Sequence, residues 1–180
     1  RNLLQQQPEY IKAGQLERGD FIVFPKIHSN GESKFTKLEL YLLGLYVAEG
    51  STYIHNKLNM PVVSFSLNIK EKEIIKKIKQ AILEISGKKP MEIIDKSKHS
   101  SEVRVYSQKL RDLCLTHCGK GAATKILSKE IMELTGENLK TFLAAYWSGD
   151  RKHLKRKGST LMRAATVSEN LARQLQGLLA

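Results

Sequence analysis

The sequence is poor in the residues that would assign it to several common classes. Among its 180 residues there are only two cysteines, four prolines and one tryptophan. Two cysteines are too few for a disulfide framework, so we expect an intracellular, cytoplasmic protein. No apolar run approaches the length of a membrane span and no signal peptide is evident, so we expect no membrane association.

Acidic residues are also scarce relative to basic ones. The chain has 18 Asp and Glu against 30 Lys and Arg, which gives a net charge of +12. Such an excess of positive charge favours a polyanionic partner, most often nucleic acid. The alternative is a basic surface that only keeps the protein soluble.

The two cysteines, Cys114 and Cys118, flank His117 in the segment CLTHC. A zinc site would need a second pair of ligands at a suitable spacing, which the sequence lacks. The cysteines lie one helical turn apart in an apolar pattern with Leu110 and Leu115. This pattern is typical of buried free thiols.

The hydrophobic pattern divides the chain into four parts. Residues 1–26 predict a β segment, with a strand, a turn at Gly19-Asp20 and a second strand. Residues 27–36 are polar and predict a linker. Residues 37–137 predict a helix, two strands, a helix, two further strands and another helix. Residues 138–180 repeat the start of this scheme and lack the later elements, so the second copy is incomplete.

Two helices in these parts carry small residues one turn apart and end in an acid. The two sets are related by one offset of 101 residues (145 minus 44, 150 minus 49), and a later pair of apolar helices matches at an offset of 97 (171 minus 74). The first set is Gly44, Ala48 and Glu49, and the second is Ala145, Gly149 and Asp150. The later pair has Ile74, Ile78, Ala81 and Ile82 in one helix and Leu171, Leu175, Leu178 and Leu179 in the other.

Small residues one turn apart let two helices approach closely, which would bring Glu49 and Asp150 side by side. Two adjacent carboxylates repel each other unless a cation lies between them, and Mg²⁺ or Mn²⁺ prefers such oxygen ligands. In a basic protein this arrangement suggests metal-assisted hydrolysis of a phosphodiester. For either helix alone, the alternative is an ordinary core helix with a terminal acid.

The segments LLGLYVAEG (42–50) and LAAYWSGDR (143–151) resemble the two copies of the motif that names the LAGLIDADG homing endonucleases. The resemblance covers about residues 37–180. It implies an α+β fold of two pseudo-symmetric helix-strand-strand-helix units, with antiparallel saddle-shaped sheets and paired motif helices. It also implies a monomer that cuts double-stranded DNA at a long recognition site, with Glu49 and Asp150 as metal-binding catalytic acids. Ala145 and Arg151 replace glycines of the motif.

A segment before the second motif, GAATKILSKEI (121–131), resembles a family segment with a lysine ahead of the second motif helix. Ser128 stands where the family has proline. The resemblance implies that Lys125 reaches the active site, where an ammonium could polarise the attacking water or balance phosphate charge. The alternative is one surface lysine among many.

The segment PEYIKAGQLERGDFIVFPK (8–26) resembles the part of an intein splicing domain that leads into an inserted endonuclease. This implies exteins of a host protein as further partners. The splicing residues are not visible, because Arg1 is no nucleophile and no terminal His-Asn follows Ala180. A two-strand arm on a free-standing or intron-encoded enzyme is the alternative.

Strands of a basic sheet can enter the major groove, and alternation along each strand selects the side chains that share a face. Two basic loops, around residues 96–99 and 151–157, suit phosphate contacts. The predicted DNA-contacting residues are Tyr53, His55 and Lys57 in the first strand, Ser64 and Ser66 in the second, Arg104 and Tyr106 in the fourth, and Lys96, Lys98, Lys152, Lys155 and Arg156 in the loops.

The sequence therefore predicts a site-specific, metal-dependent double-strand DNA endonuclease embedded in a protein-splicing intein. A DNA-binding module with a decayed site and an RNA-splicing maturase are the alternatives.

Overall fold

The computed structural model describes residues 9–22, 33–149, 152–156, 159–163 and 165–179, with only the backbone described within 152–156 and 159–163. Six helices and six strands follow one another in these residues, which confirms the predicted α+β class. The elements are α1 (Lys37–Glu49), β1 (Gly50–His55), β2 (Met60–Asn68), α2 (Lys72–Ser86), β3 (Met91–Asp95), β4 (Ser100–Tyr106), α3 (Gln108–Cys118), α4 (Lys129–Met132), α5 (Gly136–Gly149), β5 (Lys152–Arg156), β6 (Ser159–Arg163) and α6 (Glu169–Leu179).

α1 begins at a capping box and runs through the core. The Thr36 hydroxyl accepts a hydrogen bond from the backbone N–H of Glu39 at 3.2 Å, and the Glu39 carboxylate accepts one from the N–H of Thr36 at 2.8 Å. The side chains of Leu42, Leu43 and Leu45 have no exposed surface, so this helix is buried on several sides. It ends where Gly50 takes an extended conformation and starts β1.

The four strands of the first unit form one antiparallel sheet in the order β1-β2-β4-β3. The register places Ser64 opposite both Ser51 and Arg104, and Phe65 opposite both Gly50 and Val103. Because side chains alternate across a strand, Phe65 and Val103 point to one face of the sheet and Arg104 to the other. Helices α1, α2 and α3 cover the apolar face.

The second unit repeats the helix-strand-strand-helix order, as predicted. β5 pairs antiparallel with β6, with Lys152 opposite Arg163, and α6 follows. α6 begins at Ser168, whose hydroxyl accepts a hydrogen bond from the N–H of Leu171 at 3.2 Å. One face of α6 joins the same hydrophobic core as α1 and the first sheet.

The predicted N-terminal strand is wrong over the residues that the structure describes. Ala13–Gln15 form a single 3-10 turn, and a hydrogen bond from the N–H of Asp20 to the carbonyl of Glu17 closes the predicted turn around Gly19. A strand needs a partner for its ladder, and residues 9–22 pair with no described strand. Most of the predicted second strand lies outside the described residues.

Across the described part of the chain, no helix combines the length and the apolar character that a membrane crossing requires.

Candidate active site and nucleic-acid interface

α1 and α5 approach each other through their small residues. A methyl group added at Gly44 would overlap the carbonyl oxygen of Phe142 and would lie 2.9 Å from the Cβ of Ala145. One turn further on, a methyl at Gly149 would lie 2.7 Å from the Cβ of Ala48. The two helix backbones are therefore as close as side chains of this size allow.

Glu49 lies at the end of this helix pair. It is the last residue of α1 and is half-buried, and a methyl at Gly149 would lie 3.0 Å from its Cγ. Asp150, the predicted partner acid, follows Gly149 in the sequence but lies outside the described residues. The pairing of the two carboxylates therefore stays a prediction.

Lys125 also reaches the end of α1, where its ammonium contacts backbone carbonyl groups. Its Nζ donates to the carbonyl oxygens of Tyr46 at 2.7 Å, Val47 at 2.7 Å and Gly50 at 3.0 Å. It also lies 5.1 Å from the centre of the Tyr46 ring. Burial lowers the pKa of Lys125, while the neighbouring Cys118 and Glu49 act in the opposite direction.

The backbone around Lys125 is held from the opposite side by α6. The hydroxyl of Ser168 donates to the carbonyl of Lys125 at 2.7 Å. The side-chain amide of Gln174 both donates to and accepts from the backbone of Leu127, with both bonds at 2.7 Å. The N–H groups of Ile126 and Ser128 donate to carbonyl groups at the end of α3.

The described residues contain no group of three or more His, Cys, Asp or Glu side chains that could hold a metal. Mg²⁺ in phosphoryl-transfer sites commonly uses one or two carboxylates and completes its shell with waters and substrate phosphates. A half-buried carboxylate such as Glu49 fits that donor set as one ligand.

The polar face of the sheet carries most of the strand residues predicted to contact DNA. The register brings Tyr53 and Tyr106 to this face on either side of Val62, and the ring of His55 lies 5.8 Å from that of Tyr106. Ser66 is exposed on the same face. These side chains project from three neighbouring strands, which suits contact with one groove.

Ser64 belongs to this face but is only 3% exposed, and its hydroxyl lies 2.9 Å from that of Ser51. Ser64 is therefore less accessible than its position in the alternation indicates, and its contact with a base edge stays a prediction. Arg104 is also engaged, because its Nη2 lies 2.6 Å from the carboxylate of Glu102. This hydrogen bond raises the pKa of Arg104.

Several lysines lie at positions other than those predicted. Lys57 is exposed in the turn between β1 and β2, because β1 ends at His55. Lys96 and Lys98 lie in the β3–β4 turn, as expected, and Lys98 is 3.6 Å from Asp95. The segment predicted as a basic loop, with Lys152, Lys155 and Arg156, is strand β5, because β6 supplies its ladder partner.

The buried-thiol interpretation of Cys114 and Cys118 is confirmed. Neither has exposed surface, and burial raises the pKa of Cys114 to about 12. Such thiols are inert as ligands and nucleophiles, because the thiolate is the reactive form.

Sequence reasoning missed three residues of this region. The alternation along β4 puts Glu102 on the face of Arg104 but does not predict their pairing, and no pattern gave a role to Ser168 or Gln174. Ser168 carries a local signal, since serine before an apolar helix is typical of an N-cap. Gln174 carries none, because its partner is 47 residues away in the chain.

No family model matches this sequence. Curated relatives include iron-sulfur cluster assembly SufBD family proteins of Mycobacterium tuberculosis and Mycobacterium bovis, which are each 30% identical over 175 residues. The match covers 97% of this chain and 20% of those proteins, so the chain spans about a fifth of their length. An uncharacterized protein of Methanocaldococcus jannaschii is 25% identical over 197 residues, covering 93% of this chain and 23% of that protein.

The structural neighbours found are LAGLIDADG homing endonucleases. The crystal structure of I-DmoI in complex with DNA and Mn has a TM-score of 0.45 and 17% identity, covering 63% of this chain and 62% of that one. The I-LtrWI LAGLIDADG homing endonuclease bound to target DNA has a TM-score of 0.34 and 16% identity, covering 79% of this chain and 57% of that one.

Proposed function

We propose that this chain is a site-specific DNA endonuclease that uses Mg²⁺ or Mn²⁺ and acts as a monomer. Residues 37–137 and 138–180 are its two repeats, and each contributes one acid, Glu49 or Asp150. The observation that carries the proposal is the close packing of α1 against α5. Glu49 ends α1 beside Gly149, and Asp150 is the next residue in the sequence.

The helix pair supports this function because it fixes the position of a carboxylate. The contacts of Gly44 and Ala48 with α5 fix the position of α1, and they therefore also fix the position of Glu49 at its end. A divalent ion bound there would lower the pKa of a coordinated water and stabilise charge on the leaving oxygen. The chain's own contribution is a rigid carboxylate, aimed from the end of a buried helix.

The charge and the polar sheet face support duplex DNA as the substrate. The net charge is +12, and the turn lysines Lys57, Lys96 and Lys98 are exposed at the ends of the hairpins that carry Tyr53, Ser66 and Tyr106. Lysines at this place suit phosphate contacts, while the strand residues suit base edges. We place Lys152, Lys155 and Arg156 in the same role on the second hairpin.

Embedding in a longer splicing protein is part of the proposal. Two facts support it: the likeness of residues 8–26 to an intein segment, and the match of this chain to a fifth of each mycobacterial relative. Expression of the complete gene, followed by mass spectrometry, tests it. An excised protein together with a joined host protein is expected, and a single uncut product would contradict the embedding.

A role of this chain in iron-sulfur cluster assembly, which the relatives' names suggest, is less favoured. Cysteine binds such clusters as the thiolate, and burial raises the pKa of both Cys114 and Cys118, which favours the neutral thiol. Cys114 and Cys118 are the only cysteines in the sequence, and both thiols are fully buried.

The nuclease proposal is tested by cleavage of a library of DNA duplexes with Mg²⁺, Mn²⁺ or Ca²⁺. We expect double-strand cuts with Mg²⁺ or Mn²⁺, and binding without turnover in Ca²⁺. Glu49→Gln or Asp150→Asn should abolish cutting or leave only nicking, while DNA binding survives because the charge near the phosphates is less negative. Glu84→Gln, an exposed acid on α2, is the matched control.

Full cleavage by the Glu49→Gln, Asp150→Asn double variant would falsify the assignment of the acids. Binding without cleavage by the wild type in every metal would favour the decayed module. Preferential binding of structured RNA over all duplexes would favour the maturase.

The DNA-contact surface has its own test. Charge reversal of Lys96 and Lys98 should weaken binding to all sequences and flatten the dependence of log affinity on log salt concentration. The same reversal of Lys76 and Lys77, exposed on α2 across the sheet, makes an equal change in net charge and is the control. Arg104→Ala should instead change base preference, and an unchanged preference at every base position would show that Arg104 does not read DNA.

A further inference from the structure

The end of α1 presents carbonyl groups that the helix itself cannot satisfy. The last four carbonyls of any α-helix have no intrahelical partner, and a buried helix end needs donors from elsewhere. In α1 the carbonyl of Tyr46 accepts from the N–H of Gly50, which leaves the later carbonyls without a helical partner. The Lys125 ammonium, 75 or more residues away in the chain, donates to the carbonyls of Tyr46 and Val47 in this last turn and to that of Gly50, the first residue of β1. A cation at a helix C-terminus also interacts favourably with the helix dipole.

Every hydrogen of the Lys125 ammonium has an acceptor in this arrangement. An ammonium has three N–H donors, and three carbonyl oxygens lie at 2.7, 2.7 and 3.0 Å from Nζ. The residue is only 6% exposed. All three donors of the ammonium are therefore directed to backbone oxygens at the end of α1 and the start of β1.

The backbone of Lys125 is in turn clamped to α6, a helix of the second repeat. Ser168 and Gln174 make three hydrogen bonds of 2.7 Å to the backbone of Lys125 and Leu127. Ser168 is buried, and its hydroxyl also caps α6. A short extended segment, residues 125–128, thus connects α6 to the last turn of α1.

We propose that Lys125 is a positioning residue that holds the last turn of α1 and with it Glu49, and that Ser168 and Gln174 position Lys125. The second repeat thereby controls the acid of the first repeat through contacts that never reach DNA. The capping follows from the hydrogen bonds alone. Its consequence for metal binding rests on the proposed function.

Hydrogen exchange of the metal-free chain tests the capping directly. Lys125→Met keeps the length of the side chain and removes its donors. We expect exchange in peptides spanning residues 45–51 to become roughly tenfold faster, since charge-assisted hydrogen bonds are lost. Ser168→Ala and Gln174→Ala should accelerate exchange in the same peptides by a smaller factor. Arg173→Ala, an exposed neighbour on α6, is the control and should leave them unchanged.

Unchanged exchange in Lys125→Met would overturn the capping role. If Lys125→Met does not fold, the exchange of residues 45–51 in Gln174→Ala is used instead, and an unchanged rate there would overturn the capping role. If exchange becomes faster in Lys125→Met but stays unchanged in both Ser168→Ala and Gln174→Ala, the clamp by α6 is overturned.

Binding of Mn²⁺ alone, followed by electron paramagnetic resonance, tests the consequence for the site. Gln174→Ala should weaken Mn²⁺ binding several-fold, although its side chain lies outside the carboxylate site. Leu178→Ala, a core truncation on the same helix, is the control for a general loss of stability. An equal loss of affinity in both variants would overturn the positioning role. Absence of Mn²⁺ binding by the wild type would count against the proposed function, while the exchange experiment would still decide the capping.

Discussion

The two repeats share one order of elements but differ in how deeply corresponding residues are buried. In α2, Ile82 has no exposed surface, whereas its counterpart Leu179 at the end of α6 is 58% exposed. The first repeat has a second hairpin and α3 packed beside α2, and the described part of the second repeat has neither. Equal spacing of apolar residues thus predicts which face of a helix points inward, but the neighbouring elements decide how far each residue is buried.

The largest expected difference in stability between the two repeats is between alanine substitutions at Ile82 and at Leu179. Ile82→Ala should lower the free energy of unfolding by about 2–5 kcal/mol, because it leaves a cavity in the core. Leu179→Ala should change it by less than about 0.5 kcal/mol, as is usual at exposed positions. Urea denaturation monitored by circular dichroism measures both. Equal losses would mean that Leu179 is covered in the folded protein.

The next largest difference in stability is expected between alanine substitutions at Gly44 and Gly149, the two glycines of the helix pair. A methyl at Gly44 meets the backbone of Phe142, which cannot move alone, whereas a methyl at Gly149 meets the side chains of Ala48 and Glu49. Gly44→Ala should therefore destabilise by about 1–3 kcal/mol through overpacking, and Gly149→Ala by less. Thermal unfolding checks the order. Unaltered melting of Gly44→Ala would show that the helices do not meet there.

Alkaline pH should act through the first repeat. Burial raises the pKa of Tyr46 from 10.0 to about 12, so its neutral form stabilises the fold fully below pH 10 and this contribution is lost as the pH rises through 12. Burial also raises the pKa of Cys114 on α3 from 9.0 to about 12, so the stabilisation by its neutral thiol is lost as the pH rises through 12. Melting temperature should fall over this range, and less steeply in Tyr46→Phe. Tyr10→Phe, at a fully exposed site, is the control; a slope shared by both variants would contradict the assignment to Tyr46.

The smallest effect has the opposite sign and lies in the second repeat. Gly177 is a helical glycine in α6, and a methyl there would meet only the end of the Met132 side chain at 3.8 Å. Gly177→Ala should stabilise the protein by about 0.5–1 kcal/mol, since alanine loses less conformational entropy in a helix. Thermal unfolding of Gly177→Ala and Gly44→Ala, measured side by side, tests whether the two substitutions change stability in opposite directions. A loss of stability in Gly177→Ala would indicate that α6 packs more tightly at this position.

Much of the fold could be predicted because it depends on short-range patterns. The alternation of Val103 and Val105 with Glu102 and Arg104 matches their burial in β4, and the small residues of α1 face α5. The burial of Ser64 could not be predicted, because its position in the alternation is that of an exposed residue. It is covered by Ser51 and the neighbouring strands, whose register no local pattern specifies.

The sequence by itself determined the helices and strands of the first repeat, the order of elements shared by the two repeats, the buried thiols and the small-residue face that lets α1 approach α5. These follow from periodicity, residue size and polarity, which act over one or two turns or a few strand residues. Only the tertiary structure decided the partners of Lys125 and the clamp formed by Ser168 and Gln174. A polar side chain bonds whichever donor or acceptor the packed fold brings within about 3 Å. Sequence separation does not reveal that partner when it is 47 to 79 residues away.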